Sequence, residues 1–205
     1  MINLFTSYYT HSNPERNSEI VDCVVNNLQN PFIDNVYLLI EKTLEGFDKT
    51  DSKLHFVSLT ERPTFNKFFE IANNYAKQHT ISIIANSDIY FDESLIYTKR
   101  LEPEDCFALT RYDMIDGEPK FLDKADSQDS WIFRGKIKEV AYGDFYQGYW
   151  GCDNRIALEL ENAGYQVTNP SLTIRSYHLD NYKRERISQD FKIDPPYKLV
   201  TPWKL

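Results

Sequence analysis

Three polar residues, Asn86-Ser87-Asp88, directly follow the apolar segment Ile81–Ala85. Such a segment is typical of a strand in a sheet that is covered on both faces. Ligands of open α/β sheets bind beyond the carboxyl ends of the strands, so a carboxylate here is aimed at that crevice. Because Mg²⁺ and Mn²⁺ share oxygen ligands with phosphates, Asp88 is a candidate ligand for a cation that carries a diphosphate. The alternative is that these residues form only a turn.

A second acidic residue, Asp153, opens a predicted helix over residues 153–163 and follows the loop Gly148-Tyr149-Trp150-Gly151-Cys152. Glycines let a loop approach a ligand closely. A carboxylate at this place can act as the general base that deprotonates a hydroxyl acceptor. Alternatively, Asp153 is only a helix cap. We favour the base because Gly and Trp precede the acid and a full helix follows it.

Hydrophobic patterning predicts the elements that would position these residues. Residues 2–9, 36–40 and 54–59 are predicted strands, and Asn13-Pro14-Glu15 begins a helix that runs to about residue 29. Pro63 and Thr64 open a second helix. The predicted strands of the second half are residues 107–112, 131–133, 167 and 172–176. Alternation of strands and helices indicates an α/β fold.

Size and composition restrict the choice of function. The 205 residues suffice for one sizeable core, and the net charge of −8 without a basic cluster argues against a nucleic-acid partner. The three cysteines are scattered, which is typical of reduced thiols and predicts a cytoplasmic protein. No apolar stretch approaches the ~20 residues of a transmembrane segment.

Taken in order, these motifs resemble GT-A-fold glycosyltransferases, closest to the small stand-alone domains of bacteria and large DNA viruses. The resemblance is carried by residues 62–66, 86–88, 129–131, 151–154 and 169–178. It implies a Rossmann-like, mixed central sheet flanked by helices in a single domain over residues 1–186. The nucleotide-binding half would span about 1–92 and the acceptor half about 93–186, with a C-terminal arm over 187–205.

The resemblance also implies a metal site. Asn86-Ser87-Asp88 takes the place of the family's DxD motif, with Asp88 on the metal and Asn86 facing the sugar or ribose of the donor. Because the first acid is missing, Asp88 needs further ligands. His178 matches a late histidine of many metal-dependent members, and imidazole favours Mn²⁺ over Mg²⁺. Metal and nucleotide are therefore expected to bind together.

Contacts to the donor nucleotide are implied at the end of the first strand and at two helix starts: Thr6, Ser7, Tyr8, Arg16, Arg62, Asn66 and, beside Asn86, Ser87. Tyr8 or Tyr9 would stack on uracil. Arg62 would neutralise the diphosphate or hold the base. The alternatives are a solvated Arg16 and a surface salt bridge from Arg62 to Glu61 or Glu70.

Sugar and acceptor contacts are expected from Asp129, Trp131, Trp150 and Asn154. For Trp131 the alternative is a core position in a strand. The basic residues Lys183, Arg184 and Arg186 would close over the diphosphate as a lid, or form a solvated helix face.

These expectations combine into a metal-dependent transferase that moves a sugar from a nucleotide-sugar, with UDP favoured, to a hydroxyl of a glycan or other acceptor. Inversion is expected, with Asp153 as the base. A sugar-1-phosphate nucleotidyltransferase is one alternative, although the loop after the first strand lacks the glycines typical of that class. A non-catalytic module that binds nucleotide or carbohydrate is the other.

Overall fold

The computed structural model describes residues 1–41, 51–179 and 191–205. The first half contains β1 (Ile2–Tyr8), α1 (Pro14–Gln29), β2 (Asn35–Ile40), β3 (Leu54–Ser58), α2 (Phe65–Tyr75), β4 (Ile81–Ala85) and β5 (Ile89–Phe91). A 3-10 helix over Glu93–Arg100 leads to β6 (Asp105–Leu109), β7 (Tyr112–Ile115), β8 (Glu118–Phe121), β9 (Ser130–Arg134), α3 (Cys152–Asn162), β10 (Gln166–Thr168) and β11 (Ser176–His178).

The central sheet has seven strands in the order β10-β6-β9-β4-β1-β2-β3. β9 runs antiparallel to both of its neighbours, and the other pairs are parallel. The mixed central sheet that the sequence predicts is therefore confirmed. As a result, the carboxyl ends of β1, β4 and β6 meet the amino end of β9 at one edge of the sheet.

Helices cover both faces of this sheet because its strands alternate between two hydrophobic clusters. Phe5 of β1 packs in one cluster with Phe68 of α2 and Ile156 of α3, whereas Leu4 packs in the other with Ile20 of α1. Burial of both faces explains why β4 is apolar at nearly every position.

A smaller sheet, in the order β5-β11-β7-β8, lies beyond the carboxyl end of β4. Its β7–β8 hairpin turns at Asp116-Gly117, where both residues have positive φ, as a two-residue turn of this type requires. The strand predicted over residues 107–112 is thus two strands, and the strand predicted over 172–176 is wrong, since β11 begins only at Ser176.

The helix start predicted at Asn13-Pro14-Glu15 is confirmed. The side chain of Asn13 accepts hydrogen bonds from the backbone N–H groups of Glu15 and Arg16, and Pro14 occupies the first turn. This fixes where α1 begins after β1 and places Arg16 beside the end of β4.

The last residues, 191–205, pack against the domain. Val200 is buried in the core and its N–H donates to the carbonyl of Ala125, while Lys198 donates to the carbonyl of Asn154. The division of the chain into residues 1–186 and a C-terminal arm stays a prediction. Within the described ranges, no helix combines the length and apolar character needed to cross a bilayer.

Candidate active site

The ends of three strands bring the predicted site residues together. Thr6 of β1 pairs with Ala85 of β4, and Ala85 pairs with Ser130 of β9. Ser7 and Asn86 follow these pairs, and Asp129 precedes Ser130 because β9 runs antiparallel, so the three residues meet at one edge of the sheet. The Nδ2 of Asn86 donates to Oδ1 of Asp129 at 3.0 Å. The pairing of the strand backbones, and not attraction between these side chains, brings the three residues together.

A cleft of about 440 Å³ opens at this edge of the sheet, within the size range of small-molecule sites. Its walls are formed by Ser7, Tyr9, Arg16, Arg62, Asn86, Ser87, Asp88, Gln147, Gly148, Tyr149 and Phe191. The cleft thus gathers six of the residues predicted to contact the donor or the metal: Ser7, Arg16, Arg62, Asn86, Ser87 and Asp88.

Asp88 is buried at the base of the cleft and is held by Arg16. The guanidinium of Arg16 donates through Nη2 to Oδ2 of Asp88 and through Nη1 to Glu19 at 2.9 Å, and also reaches the carbonyl of Leu179 at 3.2 Å. Burial lowers the pKa of Arg16, but the charge of Asp88 outweighs this and raises it above its ordinary value. Arg16 is therefore a fixed, buried cation and not the solvated side chain of the alternative prediction.

His178 faces the same carboxylate from β11. Its Nε2 lies 3.3 Å from Oδ2 of Asp88, and its Nδ1 lies 2.9 Å from Oδ1 of Asp113. Burial lowers the pKa of His178, but the charge of Asp88 and the hydrogen bond to Asp113 raise it to about 9. The sequence prediction paired Asp88 with His178, and the fold brings the two side chains together.

Arg111 links this cluster to Asp129. Its Nε donates to Asp113 at 2.7 Å, and its Nη1 donates to both carboxylate oxygens of Asp129 at 2.9 and 3.0 Å. Burial raises the pKa of Asp113, but the hydrogen bonds from His178 and Arg111 lower it to about 2. Asp113 is therefore an anion that fixes the orientation of the His178 ring.

These residues do not fit a resident divalent cation. Oδ2 of Asp88, the oxygen that faces His178, already accepts a hydrogen bond from Arg16. Hard cations need several oxygen or nitrogen ligands and repel a guanidinium on the same oxygen. Among the residues that the structure describes, no three His, Cys, Asp or Glu side chains converge as a cation site requires.

Asp153 lies at the start of α3 beside Asp129. Gly151, which precedes the helix, has a φ of +77°, and a Cβ there would come within 2.6 Å of the Tyr197 hydroxyl, so only glycine fits. Burial raises the pKa of Asp153, and the nearby charge of Asp129 raises it further, although a hydrogen bond from Cys152 opposes the shift. A carboxyl group with a raised pKa suits general acid–base chemistry.

Replacing Asp129 by asparagine is expected to lower the pKa of Asp153. The substitution removes a like charge next to Asp153, and like charges disfavour the ionised form. The carboxyl carbon chemical shift of Asp153, followed through a pH titration, measures this directly. Asp126→Asn, in the same loop but at an exposed position, is the matched control and is expected to leave the pKa of Asp153 unchanged. An unchanged or raised pKa in Asp129→Asn would contradict the assigned coupling.

Two amide groups at the cleft have buried atoms without a hydrogen-bond partner among the described residues. These are Oδ1 of Asn86 and Nε2 of Gln147. Buried polar atoms are normally paired, so an unpaired acceptor and an unpaired donor that line one cleft favour a ligand that carries hydroxyl groups.

Arg62 also lines the cleft, and it forms neither of the salt bridges to Glu61 or Glu70 that the sequence suggested as alternatives. Its Nη2 donates to the carbonyl of Gln147 at 2.5 Å, and its guanidinium lies 5.1 Å from the ring centre of Tyr146 and 5.7 Å from that of Tyr149. Packing against two rings preorganises a planar cation without neutralising it.

The fold corrects two of the predicted contact residues. Tyr8 is buried in the hydrophobic core with Leu4 and Ile20, so its ring is not available to stack on a base, whereas Tyr9 is exposed and lines the cleft. Trp131 is fully buried, because both faces of the central strand β9 are covered, and it packs edge-on against Phe65. A side chain with no exposed surface does not bind a sugar.

Besides Asp129, Asp153 and His178, four other predicted residues lie outside the cleft walls. Thr6 is buried behind Ser7, and Asn66 lines a neighbouring depression on the far side of Arg62. Asn154 is buried on α3, and Trp150 is exposed. The predicted lid residues Lys183, Arg184 and Arg186 lie outside the described residues.

Four residues of the site were not predicted from the sequence: Glu19, Arg111, Asp113 and Gln147. Arg111 and Asp113 are two positions apart at the start of β7, a spacing that places side chains on one side of an extended chain, and this was an available signal for that pair. Gln147, next to Gly148 in the loop before Asp153, carries no signal of its own.

The sequence matches no protein-family model and no curated protein. The structure is similar to the mannosyltransferase PcManGT from Pyrobaculum calidifontis in complex with GDP-Man and Mn²⁺, with a TM-score of 0.57 and 13% identity over 87% of this chain and 56% of that chain. It is also similar to TarS 1–349 from S. aureus in complex with UDP-GlcNAc, with a TM-score of 0.58 and 9% identity over 94% of this chain and 61% of that chain.

These similarities confirm the predicted GT-A-type α/β fold. At such low identity they establish the fold alone. The chain spans 56% and 61% of the two structures that it matches, so the activities of those proteins do not transfer with the fold.

Proposed function

We propose that this GT-A domain is a glycosyltransferase that moves a sugar from a nucleotide-sugar to a hydroxyl acceptor. One observation carries the proposal: the carboxyl ends of β1 and β4 place Ser7 and Asn86 in the wall of a cleft that also holds Arg62, and Asn86 is hydrogen-bonded to Asp129 at the start of β9. Ligands of open α/β sheets bind at this edge. The fold neighbours contain GDP-Man and UDP-GlcNAc, which supports the same class of donor here.

The groups in the cleft match the parts of a nucleotide-sugar. Tyr9 is exposed and offers a ring for the base, and Arg62, which has no carboxylate partner in the described part of the chain, offers a guanidinium for the diphosphate. The unpaired amide atoms of Asn86 and Gln147 suit the hydroxyl groups of a ribose or a hexose. UDP is the nucleotide that the sequence favours.

Asp153 is proposed as the base. The acceptor oxygen attacks the anomeric carbon, the bond from that carbon to the diphosphate breaks, and the nucleoside diphosphate leaves with the electron pair. The acceptor proton moves to Asp153 in its ionised form. The raised pKa makes this carboxylate a stronger base than an ordinary one, and the ionised fraction grows as the pH rises towards that pKa. Attack opposite the leaving group inverts the anomeric centre.

The sequence prediction assigns Mn²⁺ or Mg²⁺ to Asp88 and His178. A divalent cation would supply positive charge to the leaving diphosphate. The contact of Arg16 with Asp88 does not fit that assignment, so the proposed reaction requires only the residues of the chain. The cytoplasmic location expected from the cysteines stays a prediction.

Incubation with a panel of UDP- and GDP-sugars, without added acceptor, is expected to release nucleoside diphosphate slowly. Transferases of this kind pass sugar to water when no acceptor is present. Released UDP or GDP is measured for the wild-type protein and for Arg62→Gln, which is expected to weaken donor binding because it removes the free guanidinium from the cleft.

Two outcomes would contradict the proposal. Release of pyrophosphate from UTP and a sugar-1-phosphate, with no hydrolysis of nucleotide-sugars, would favour a nucleotidyltransferase. Binding of nucleotide-sugars without turnover, even with a range of hydroxyl acceptors, would favour a non-catalytic module.

A further inference from the structure

Arg16 occupies an unusual place for a cation. It lies in the first turn of α1, where the helix dipole is positive and disfavours a basic side chain. It is also almost fully buried. Burial of a charge at such a place requires strong compensation, and the two carboxylates of Glu19 and Asp88 supply it.

We propose that the guanidinium of Arg16 takes the place of a divalent cation in this cleft, so that a nucleoside diphosphate binds without metal. This inference rests on the proposed nucleotide-sugar function. It identifies Arg16 as the guanidinium that pairs with Asp88, the one acidic side chain among the described residues of the cleft wall.

The geometry makes Arg16 and a metal ion competitors for one oxygen. A Mg²⁺–oxygen bond is about 2.1 Å long. A charge-assisted hydrogen bond spans about 2.8 Å. An ion on Oδ2 of Asp88 would therefore lie within about 5 Å of the guanidinium nitrogen, as two like charges in a buried site. Arg16 has no room to withdraw without breaking its contacts to Glu19 and the carbonyl of Leu179.

Because Arg16 pairs with Asp88, Arg62 is the arginine that is left to contact the diphosphate. Arg62 makes no ion pair with a carboxylate among the described residues, and it lines the same cleft as Arg16. The two arginines together would replace a metal ion. Arg16 compensates the negative charge of Asp88, and Arg62 attracts the phosphates.

The wild-type protein provides the first test, with Mn²⁺ alone as the probe. The electron paramagnetic resonance signal of free Mn²⁺ is expected to persist when the protein is added. Calorimetric titration with UDP and with GDP is expected to give the same dissociation constants in EDTA and in excess Mn²⁺, within about twofold. Uptake of Mn²⁺, or nucleotide binding that is lost in EDTA and restored by Mn²⁺, would overturn the inference and leave the proposed function standing.

Variants of the two arginines separate their roles. Arg16→Gln is expected to weaken nucleotide binding in EDTA roughly tenfold or more, because Asp88 and Glu19 both lose their guanidinium partner, and to gain affinity from Mn²⁺. Arg62→Gln is the control: it weakens binding equally with and without Mn²⁺. Arg16→Gln that binds nucleotide as tightly as wild type in EDTA would overturn the assignment of Arg16.

Circular dichroism establishes whether Arg16→Gln folds. If it does not fold, the Mn²⁺-binding and nucleotide-binding measurements on the wild-type protein test the inference on their own. Failure of the wild-type protein to bind either nucleotide in both conditions would refute the proposed function, and this inference with it.

Discussion

Asp153→Asn is expected to lower turnover roughly 10²–10⁴-fold, the usual contribution of a general base. Asparagine has nearly the same shape but accepts no proton at the pH of the reaction. Because Asp153 is not part of the cleft wall that holds Arg62 and Asn86, nucleotide affinity should change little. Single-turnover rates and calorimetric nucleotide titrations, made on the same preparation, separate the two effects.

The same substitution should not destabilise the fold. The pKa of Asp153 in the folded protein lies above its ordinary value of 3.8, so the native state keeps a proton that the unfolded chain has lost. The free energy of unfolding therefore falls as the pH rises between the two pKa values. The asparagine side chain in Asp153→Asn cannot ionise, and above this window the variant is expected to melt at or above the wild-type temperature.

Glu161→Gln provides a matched control, since it neutralises an exposed carboxylate on the same helix. It should leave turnover unchanged. If Asp153→Asn retained turnover within a few-fold of this control, Asp153 would not be the base. Loss of turnover together with a marked fall in melting temperature would instead assign Asp153 to the structure of the α3 start.

Local signals explain which elements the sequence could predict. The start of α1 depends on Asn13 and Pro14, whose side chains act within one turn of the helix. β4 depends on an apolar run that only a sheet covered on both faces accommodates. Each of these signals lies inside the element that it predicts, so no knowledge of distant residues is needed.

The site itself depends on contacts between distant parts of the chain. Arg16 and Asp88 are 72 positions apart, and nothing near Arg16 in the sequence indicates a buried partner. Arg111 was not predicted as a site residue, because the sequence predicted one strand over residues 107–112 where the chain forms the ends of two strands. Thr110 breaks the strand there by binding Asn169, and the chain then passes into the smaller sheet beside Asp129.

Short strands were missed for a related reason. β5 and β11 have three residues each, which is too short for any periodicity to be read from the sequence. They form because β11 pairs with β7 and β5 pairs with β11 at the edge of the smaller sheet, and the pairing of β5 with β11 sets Asp88 opposite His178. Tertiary pairing therefore supplies the part of the site that local patterns do not encode.

Trp131→Ala is expected to lower the free energy of unfolding by about 3–5 kcal/mol, the usual cost of removing a large buried aromatic side chain. The indole is fully buried and lies edge-on to Phe65, with ring centres 4.8 Å apart. Its strand position is paired with Ile84 on one side and Ala108 on the other, so the surrounding backbone cannot collapse into the cavity.

Trp131→Phe should cost much less. The Nε1 of Trp131 is buried without a hydrogen-bond partner among the described residues, and phenylalanine removes that unpaired donor while it keeps most of the apolar volume. Urea unfolding, followed by far-ultraviolet circular dichroism, gives the free energies for both variants. Trp203→Ala, at an exposed tryptophan, is the control for loss of an indole and should remain close to wild type.

The Trp131 pair of variants separates a core role from a sugar-binding role. A sugar-binding tryptophan is accessible, so its replacement by alanine would weaken sugar or acceptor binding and leave stability within about 1 kcal/mol of wild type. The buried position predicts the opposite. Trp131→Ala should lose much of its stability, and Trp131→Phe should still bind donor and acceptor. A stable Trp131→Ala protein would show that the indole does not fill the core between α2 and β9.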